Sequence, residues 1–420
     1  MSDDDTFLIV GAGPAGMLLA GLLGSAGLRV VVLEKAKGFS RTFRGESISP
    51  DSVGILAKLG VLDYVPEDRI RSVRGTTITD GGSRVLSVDF DRLLPGLELP
   101  AEIPQDSLLA AMQASAEQYG TVDVRFGAKV VGLERASGRV CGVRYHSGGQ
   151  EHTLASCLVI GADGRYSAMR DLAGFSYEKQ VLARDFLWMK VSAPNSWDSD
   201  RYHVRITRSD HLVCIPTVPD MVRLGVNIPK GGLRDVRDRG FASFIDRIAS
   251  AVPELEEVLR TEVTGWKDTS MLDIFTTVSA EWTQPGLVLI GDAAHAMTPI
   301  LAQGVNNAVV DALVLADQVR LVDTDSKAEL DAATRRFADL RRPDVTASRA
   351  VQLRQERLFE LSGMGALLRR LLYRVVDLVP PLQRRIWRPV YYGLQDPSNP
   401  ASKALERCRK RASSTADEPS

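Results

Sequence analysis

The sequence predicts an α/β protein: a parallel sheet wrapped by helices, an antiparallel sheet inserted into it, and C-terminal helices after both. Three observations carry this. Phe7–Val10, a glycine-rich turn and the apolar run Met17–Leu23 read as strand, turn and helix, and Leu28–Leu33 reads as a second strand. Between Ser176 and Leu272 the chain changes to short β-rich segments at close spacing. From Ala332 onward the pattern is helical, with Arg341-Arg342-Pro343 marking a bend.

The 420 residues suffice for a large core and two domains, or one domain with a sizeable insertion. Apolar residues make up 44% and charged residues 25%, as in an ordinary globular protein, and the net charge of −1 argues against a nucleic-acid partner. Cys141, Cys157, Cys214 and Cys408 show neither CxxC nor metal-ligand spacing, which points to reduced thiols, a cytoplasmic setting and no metal. The acidic start Met1-Ser-Asp-Asp-Asp-Thr leads straight into a strand and is not a signal peptide. No uninterrupted apolar run reaches membrane-spanning length.

Gly11-Ala12-Gly13-Pro14-Ala15-Gly16 lies between the first strand and its helix, the context that makes a glycine pattern a Rossmann-like dinucleotide fingerprint. Gly11 permits the tight turn, Gly13 lets backbone approach a pyrophosphate, and Gly16 allows close helix–strand packing. The helix N-terminus offers free N–H groups to phosphates. Glu34, at the end of the second strand, is placed to accept from ribose hydroxyls. Two later segments also follow apolar runs: Gly161-Ala162-Asp163-Gly164-Arg165, and Gly291-Asp292-Ala293-Ala294-His295-Ala296-Met297-Thr298-Pro299. Together the three point to FAD, because so long a cofactor needs protein groups at both its adenosine and its flavin end.

With these segments in order, the chain resembles the FAD-dependent monooxygenases of the p-hydroxybenzoate hydroxylase type from about residue 6 to about residue 355. Arg44-Gly45-Glu46-Ser47-Ile48-Ser49-Pro50, then Leu56-Ala57-Lys58-Leu59-Gly60, is similar to a family segment whose arginine lies over the cofactor pyrophosphate, so the resemblance gives Arg44 that role. It gives Gln105 the ribityl or phosphate, and places adenine against the backbone of Val130. Ala15 and Lys35 are also expected among the cofactor-binding residues. Asp163, with Arg165, Ser167 and Arg170, is similar to the family's Asp-Gly motif, which helps hold flavin phosphates and the nicotinamide donor; Asp163 also suits a helix cap. Asp292 would accept from the ribityl chain, Pro299 would begin the turn past the flavin ring, and Gln303, Gly304, Val305 and Asn306 would open a helix aimed at its pyrimidine edge. The family more often has glycine where Ala302 stands, which bears on the loop's shape. His295 reads as structural, beside the cofactor phosphates.

The implied division is an FAD-binding domain at 1–175 with 280–355, an antiparallel-sheet substrate domain at 176–279, a C-terminal helical region at 356–408 and a disordered tail at 409–420. Strands are expected at Phe186–Val191, Tyr202–Thr207, His211–Ile215, Val222–Ile228 and Leu272–Val278, with helices at Phe241–Ile248 and Glu254–Leu259. In the family such a sheet roofs the flavin. Its candidate wall residues here are Trp188, Tyr202, His203, Val213, Met271 and Phe275, though alternate residues of each strand face opposite ways. From Met364 to Arg411 eleven Lys/Arg stand against three Asp/Glu on an amphipathic pattern. Either these helices pack on the FAD domain with their arginines in solvent, which is favoured, or they lie at an anionic membrane as a peripheral contact.

The resemblance implies a monooxygenase that takes electrons from NADPH or NADH as a transient co-substrate. It would add O2 to give a C4a-hydroperoxyflavin and hydroxylate or epoxidise an aromatic or polycyclic, lipophilic small molecule. No catalytic residue is singled out, since the cofactor carries the hard chemistry. A flavin-dependent halogenase is a rival, but His211-Leu-Val-Cys-Ile-Pro216 lacks both tryptophans of the halogenase Trp-x-Trp-x-Ile-Pro segment. A geranylgeranyl-reductase-like enzyme would require Tyr-x-Trp-x-Phe-Pro, also absent. A non-catalytic FAD-binding scaffold is the rival from another class.

Overall fold

The computed structural model describes residues 5–39, 46–93, 95–208 and 210–414. Phe7–Val10 is apolar and wholly buried, as a strand covered on both faces must be. It pairs in parallel with Val30–Glu34 on one side and Leu158–Gly161 on the other. Val122–Phe126 extends the sheet beyond Val30–Glu34, and Leu287–Leu289 extends it beyond Leu158–Gly161. Thr283–Gln284 closes that edge antiparallel. The helix Pro14–Gly24 follows the first strand with proline at its first turn, where no N–H is needed, and packs on the helices Gln105–Glu117 and Gln303–Val319. Three antiparallel strands, Lys129–Ala136, Arg139–Ser147 and Gln150–Ala155, form a small satellite sheet.

The second large sheet has seven strands in the order Ser270–Leu272, Arg184–Ser192, Met221–Pro229, His211–Thr217, Arg201–Ile206, Gly75–Asp80 and Ser83–Asp89. Its last two strands come from a hairpin well before residue 176, so the sheet draws on more of the chain than the expected 176–279. One face buries Leu187, Met189, Cys214, Leu224 and Val226 against the helices Phe241–Ala251 and Glu256–Glu262. The expected strand Leu272–Val278 is two strands, Ser270–Leu272 and Phe275–Ser279, in different sheets. The break has a local cause: Asp185 accepts from Ile274 N at 3.0 Å, while Lys230 Nζ donates to Ile274 O at 2.8 Å and pairs with Asp273. This clamp turns the chain out of the first sheet, and Phe275–Ser279 pairs instead with Tyr177–Val181.

Pro343 lies inside the continuous helix Lys327–Glu360, which is fixed on either side of it by Arg341 and Gln352. The helix Met364–Leu378 packs on the strand Ser83–Asp89, held by Arg369 and Arg370 on Asp80. Pro400–Ser414 packs on Gln303–Val319, with Arg407 bidentate to Asp317 at 2.6 Å. Residues 409–414, expected in a disordered tail, are therefore helical, because the helix is carried past Cys408 by that packing; residues 415–420 lie outside the described residues.

Candidate functional site

Parallel strands present their C-terminal ends at one edge, and ligands of open α/β sheets sit there. All three glycine-rich turns converge on that edge. A Cβ on Gly11 would meet Ala162 O at 2.4 Å, one on Gly16 would meet Gly11 O at 2.0 Å, and one on Gly291 would meet Ala15 Cβ at 3.3 Å. The chain's own packing demands these glycines. Gly13 differs, since a Cβ there would find nothing within 4 Å. Among the described residues no atom forbids a side chain at Gly13, which leaves room there for a group from outside the chain. A pyrophosphate drawn to the uncapped start of Pro14–Gly24 fits that space.

On the adenosine side Glu34 is buried, with Oε2 accepting from Ala12 N at 2.9 Å and Oε1 from Ala36 N at 2.8 Å. The carboxylate is thereby held at the end of its strand, beside the turn at Ala12. Lys35 beside it is exposed. Val130 is buried on a strand brought to Glu34 by Ala128 N donating to Glu34 O at 2.9 Å. Gln105 is half-buried at the first position of its helix. Arg44 lies outside the described residues.

Asp163 works as a cap: it accepts from Ser167 Oγ at 2.5 Å and from Met169 N at 3.0 Å. Burial pushes its carboxyl up, and these hydrogen bonds pull the other way. Arg170 is buried, donating to Thr277 Oγ1 and Ala293 O with its guanidinium 3.9 Å from the Tyr177 ring centroid, so it is engaged inside the protein. Arg165 is the half-buried cation at the edge, reaching Asp292 Oδ2 at 3.2 Å and Met297 O at 2.5 Å. It thereby ties the second motif to the third.

Pro299 starts a turn in which Leu301 and Ala302 have φ of 60° and 51°. That left-handed geometry explains why glycine suits position 302, and here alanine accepts the strain. Side-chain amides draw the turn's carbonyls inward: Gln352 takes Thr298 O and Ile300 O, Gln303 takes Leu301 O, and Asn306 takes Ala302 O. Asn306 Oδ1 also accepts from Ser49 N at 2.9 Å, fixing the helix against the segment after Glu46. Ala302 provides no side-chain cap to the first turn of Gln303–Val319, which is formed by Gln303, Gly304, Val305 and Asn306. His295 is buried with its Nε2 2.6 Å from Asp311 Oδ2, and Asp311 also binds Gly291 N at 2.8 Å and Arg341 Nε at 2.8 Å.

Strand register sorts the wall candidates. Trp188, Gly225, Val213 and Val204 lie in one cross-strand row, and Lys190, Arg223, Ile215 and Tyr202 in the next row on the same face. His203 pairs with Cys214 and Met271 with Leu187, which puts both on the opposite face, away from the other candidates. Phe275 is buried in the separate two-stranded sheet, against Tyr166 and Lys179. Trp188 lies flat over Gly225, where a Cβ would come within 2.7 Å of the indole. Phe186 stacks parallel to Trp188, His211 meets Phe186 edge-on, and Phe359 stacks on His211 at 4.0 Å. Burial pushes His211 down to about 3, so this wall is uncharged.

A buried ionic cluster at the end of this wall is absent from the sequence reading. Arg223 pairs with Glu46 at 3.2 Å and Glu102 at 3.3 Å, and Lys190 reaches Glu46 at 3.2 Å. Tyr202 Oη donates to Glu102 at 3.0 Å. Burial pushes Glu102 up to about 7, against the pull of Arg223. The Gly-Glu-Ser motif and the wall candidate Tyr202 were the sequence signals near it; the other partners come from distant strands.

A family model described as "FAD binding domain" matches residues 4–341. The 6-methylpretetramide 4-monooxygenase of Streptomyces rimosus is 33% identical over 394 residues, covering 92% of this chain and 92% of that protein. A Rhodococcus jostii protein described as a probable NADH-specific resorcinol 4-hydroxylase is 27% identical, covering 75% of this chain and 58% of its own length. The crystal structure of p-nitrophenol 4-monooxygenase from Pseudomonas putida superposes with a TM-score of 0.77 at 19% identity, covering 92% of this chain and 98% of that one.

Proposed function

The chain belongs to the FAD-dependent monooxygenases of the p-hydroxybenzoate hydroxylase type, and on that premise we propose that its substrate is a planar, polycyclic phenolic molecule laid against the Trp188 face of the antiparallel sheet. It is an FAD-dependent oxidoreductase that uses NAD(P)H and O2 and hydroxylates or epoxidises a small molecule. The observation that carries the substrate reading is the uncharged row Trp188, Phe186, His211 and Phe359 above Gly225. A flat aromatic surface recognises a flat aromatic ligand through offset stacking and buried area. The S. rimosus relative is a 6-methylpretetramide 4-monooxygenase, so its substrate is a small organic molecule.

FAD, when bound, would supply the redox chemistry between NAD(P)H, O2 and the substrate. The protein's residues do the rest. Gly13, the start of Pro14–Gly24, Glu34 and Asp292 hold the cofactor along its length. The helix start at Gln303–Asn306 favours negative charge on the flavin side of the site. The aromatic wall excludes water and fixes the substrate plane. Glu102 and Tyr202 form a buried pair able to hold a proton at Oε1, next to the wall. All four cysteines are free thiols, which supports a reducing compartment such as the cytoplasm.

The test is flavin reduction followed by stopped flow with NADH or NADPH, with one-ring phenols compared against three- and four-ring phenols. The reading requires a polycyclic phenol to accelerate reduction and to gain one oxygen atom by mass spectrometry. Acceleration by one-ring phenols only would overturn the substrate class, and flavin that neither nucleotide reduces would overturn the donor assignment.

A further inference from the structure

Among the described residues, the densest group of large apolar side chains that face solvent lies on one element. Met364, Leu367, Leu368, Leu371, Val375 and Leu378 are all exposed, from 43% for Val375 to 81% for Met364. Their spacing puts them on one side of the helix Met364–Leu378, while Arg369, Tyr373 and Val376 are buried on the other. This face is held outward. Arg369 and Arg370 both grip Asp80, at 2.6 and 2.8 Å, and Asp377 Oδ1 accepts from Ser87 N at 2.6 Å. A helix that is apolar on both sides and anchored through one of them leaves the other for something outside the chain.

Charge decides between the occupants. Between residues 361 and 391 there are six arginines and one acid, Asp377. Arg374, Arg385 and Arg388 are exposed, and Asp377 is already engaged by Ser87. A second copy meeting this face by two-fold symmetry would set arginines against arginines with no free carboxylate between 361 and 391 to answer them. A surface that is apolar beneath and anionic at its rim complements the patch on both counts. We propose that the helix Met364–Leu378 seats the protein on the surface of an anionic lipid bilayer, its leucine face in the acyl boundary and Arg374, Arg385 and Arg388 among the headgroups. The association is peripheral. The helix Ile300–Val319, apolar and long enough to span a membrane, has 72% of its apolar window buried inside the protein and serves as core. The exposed face begins a few residues after Phe359, which ends the aromatic wall, so a lipid-dissolved aromatic compound would be delivered beside the site.

Flotation of the flavin-loaded, full-length protein with vesicles tests this, using pure phosphatidylcholine and phosphatidylcholine containing phosphatidylglycerol. The proposal requires flotation with the anionic vesicles, weakened by high salt. Leu371→Glu should lower the bound fraction by about tenfold or more, since losing one buried leucine is worth about that factor. Arg374→Glu with Arg385→Glu should abolish the preference for phosphatidylglycerol. Both variants change exposed side chains, and an unaltered flavin spectrum would show that their folds are intact. Failure to float with either vesicle would overturn the proposal. So would a concentration-dependent dimer that Leu371→Glu dissociates without any effect on flotation, which would make the face a subunit interface. None of these readouts involves turnover, so they stand apart from the substrate assignment.

Discussion

Asp311 accepts from His295 Nε2 at 2.6 Å with the same carboxylate that binds Gly291 N at 2.8 Å, so one buried acid fixes both ends of the turn that presents Asp292. Burial alone would raise this carboxyl, but His295 and Arg341 overcome it and hold it at about 2, below its usual 3.8. A depressed acid contributes stability above its unfolded value and loses it as pH falls toward the folded one. The unfolding midpoint should therefore drop as pH goes from 3.8 toward 2 in the parent and change less in Asp311→Ala. At neutral pH that variant should lose about 3–5 kcal/mol in urea denaturation, because it removes the buried carboxylate shared by Arg341 and His295 and leaves Arg341 only the half-exposed Asp344.

Glu102 shows the opposite sign. Its folded value near 7 exceeds the usual 4.5, so its contribution is complete below 4.5 and lost as pH rises through 7. Glu102→Gln keeps an acceptor for Tyr202 and has no proton to lose. Thermal unfolding measured across that interval should fall with pH in the parent and be flatter in the variant. An identical slope in both would show that the cluster does not hold a proton.

Gly13 and Gly16 should separate in a paired experiment. Gly16→Ala places a methyl 2.0 Å from Gly11 O and should disturb the fold with or without flavin. Gly13→Ala meets no atom of the described residues, so the flavin-free protein should unfold as the parent does, while FAD affinity falls by about tenfold or more. Equal retention of FAD in parent and Gly13→Ala would refute the pyrophosphate assignment.

Ala302 sits at φ 51°, where a β-carbon is strained by about 1–2 kcal/mol. Ala302→Gly relieves this but loosens the unfolded chain, for a net gain of about 1 kcal/mol or less. Ala302→Val should be destabilising, since branching at Cβ worsens the same contact. Calorimetry of the three proteins ranks them.

Trp188→Ala removes the flat surface above Gly225. It should raise KM for a polycyclic substrate on the order of tenfold while changing flavin content little. An unchanged KM would place the substrate elsewhere.

The cofactor side was legible in the sequence because its signals are local: an apolar strand, a glycine turn and a helix start lie within a few residues of one another. The Trp188 wall was legible only in part. Tyr202 and His203 are neighbours in sequence and face opposite sides, and only the pairing of His203 with Cys214 tells which is which. The Glu46–Arg223–Glu102 cluster was invisible because burial and charge compensation arise when three distant segments meet. Arg170 looked like a cleft cation by motif, yet its burial against Tyr177 and Thr277 gives it a packing role.

The order of strands also sets an order of assembly during synthesis. The parallel sheet begins with Phe7–Val10 but lacks its neighbour to Leu158–Gly161 until Leu287–Leu289 has been made, whereas the seven-stranded sheet has its last strand by Leu272. On a ribosome the later-starting sheet therefore finishes first, and the nascent nucleotide-binding half waits with an open apolar edge. The edge at Leu158–Gly161 stays open until Leu287–Leu289 is made, and substitutions that slow that pairing should reduce yield more than they reduce the stability of the finished molecule.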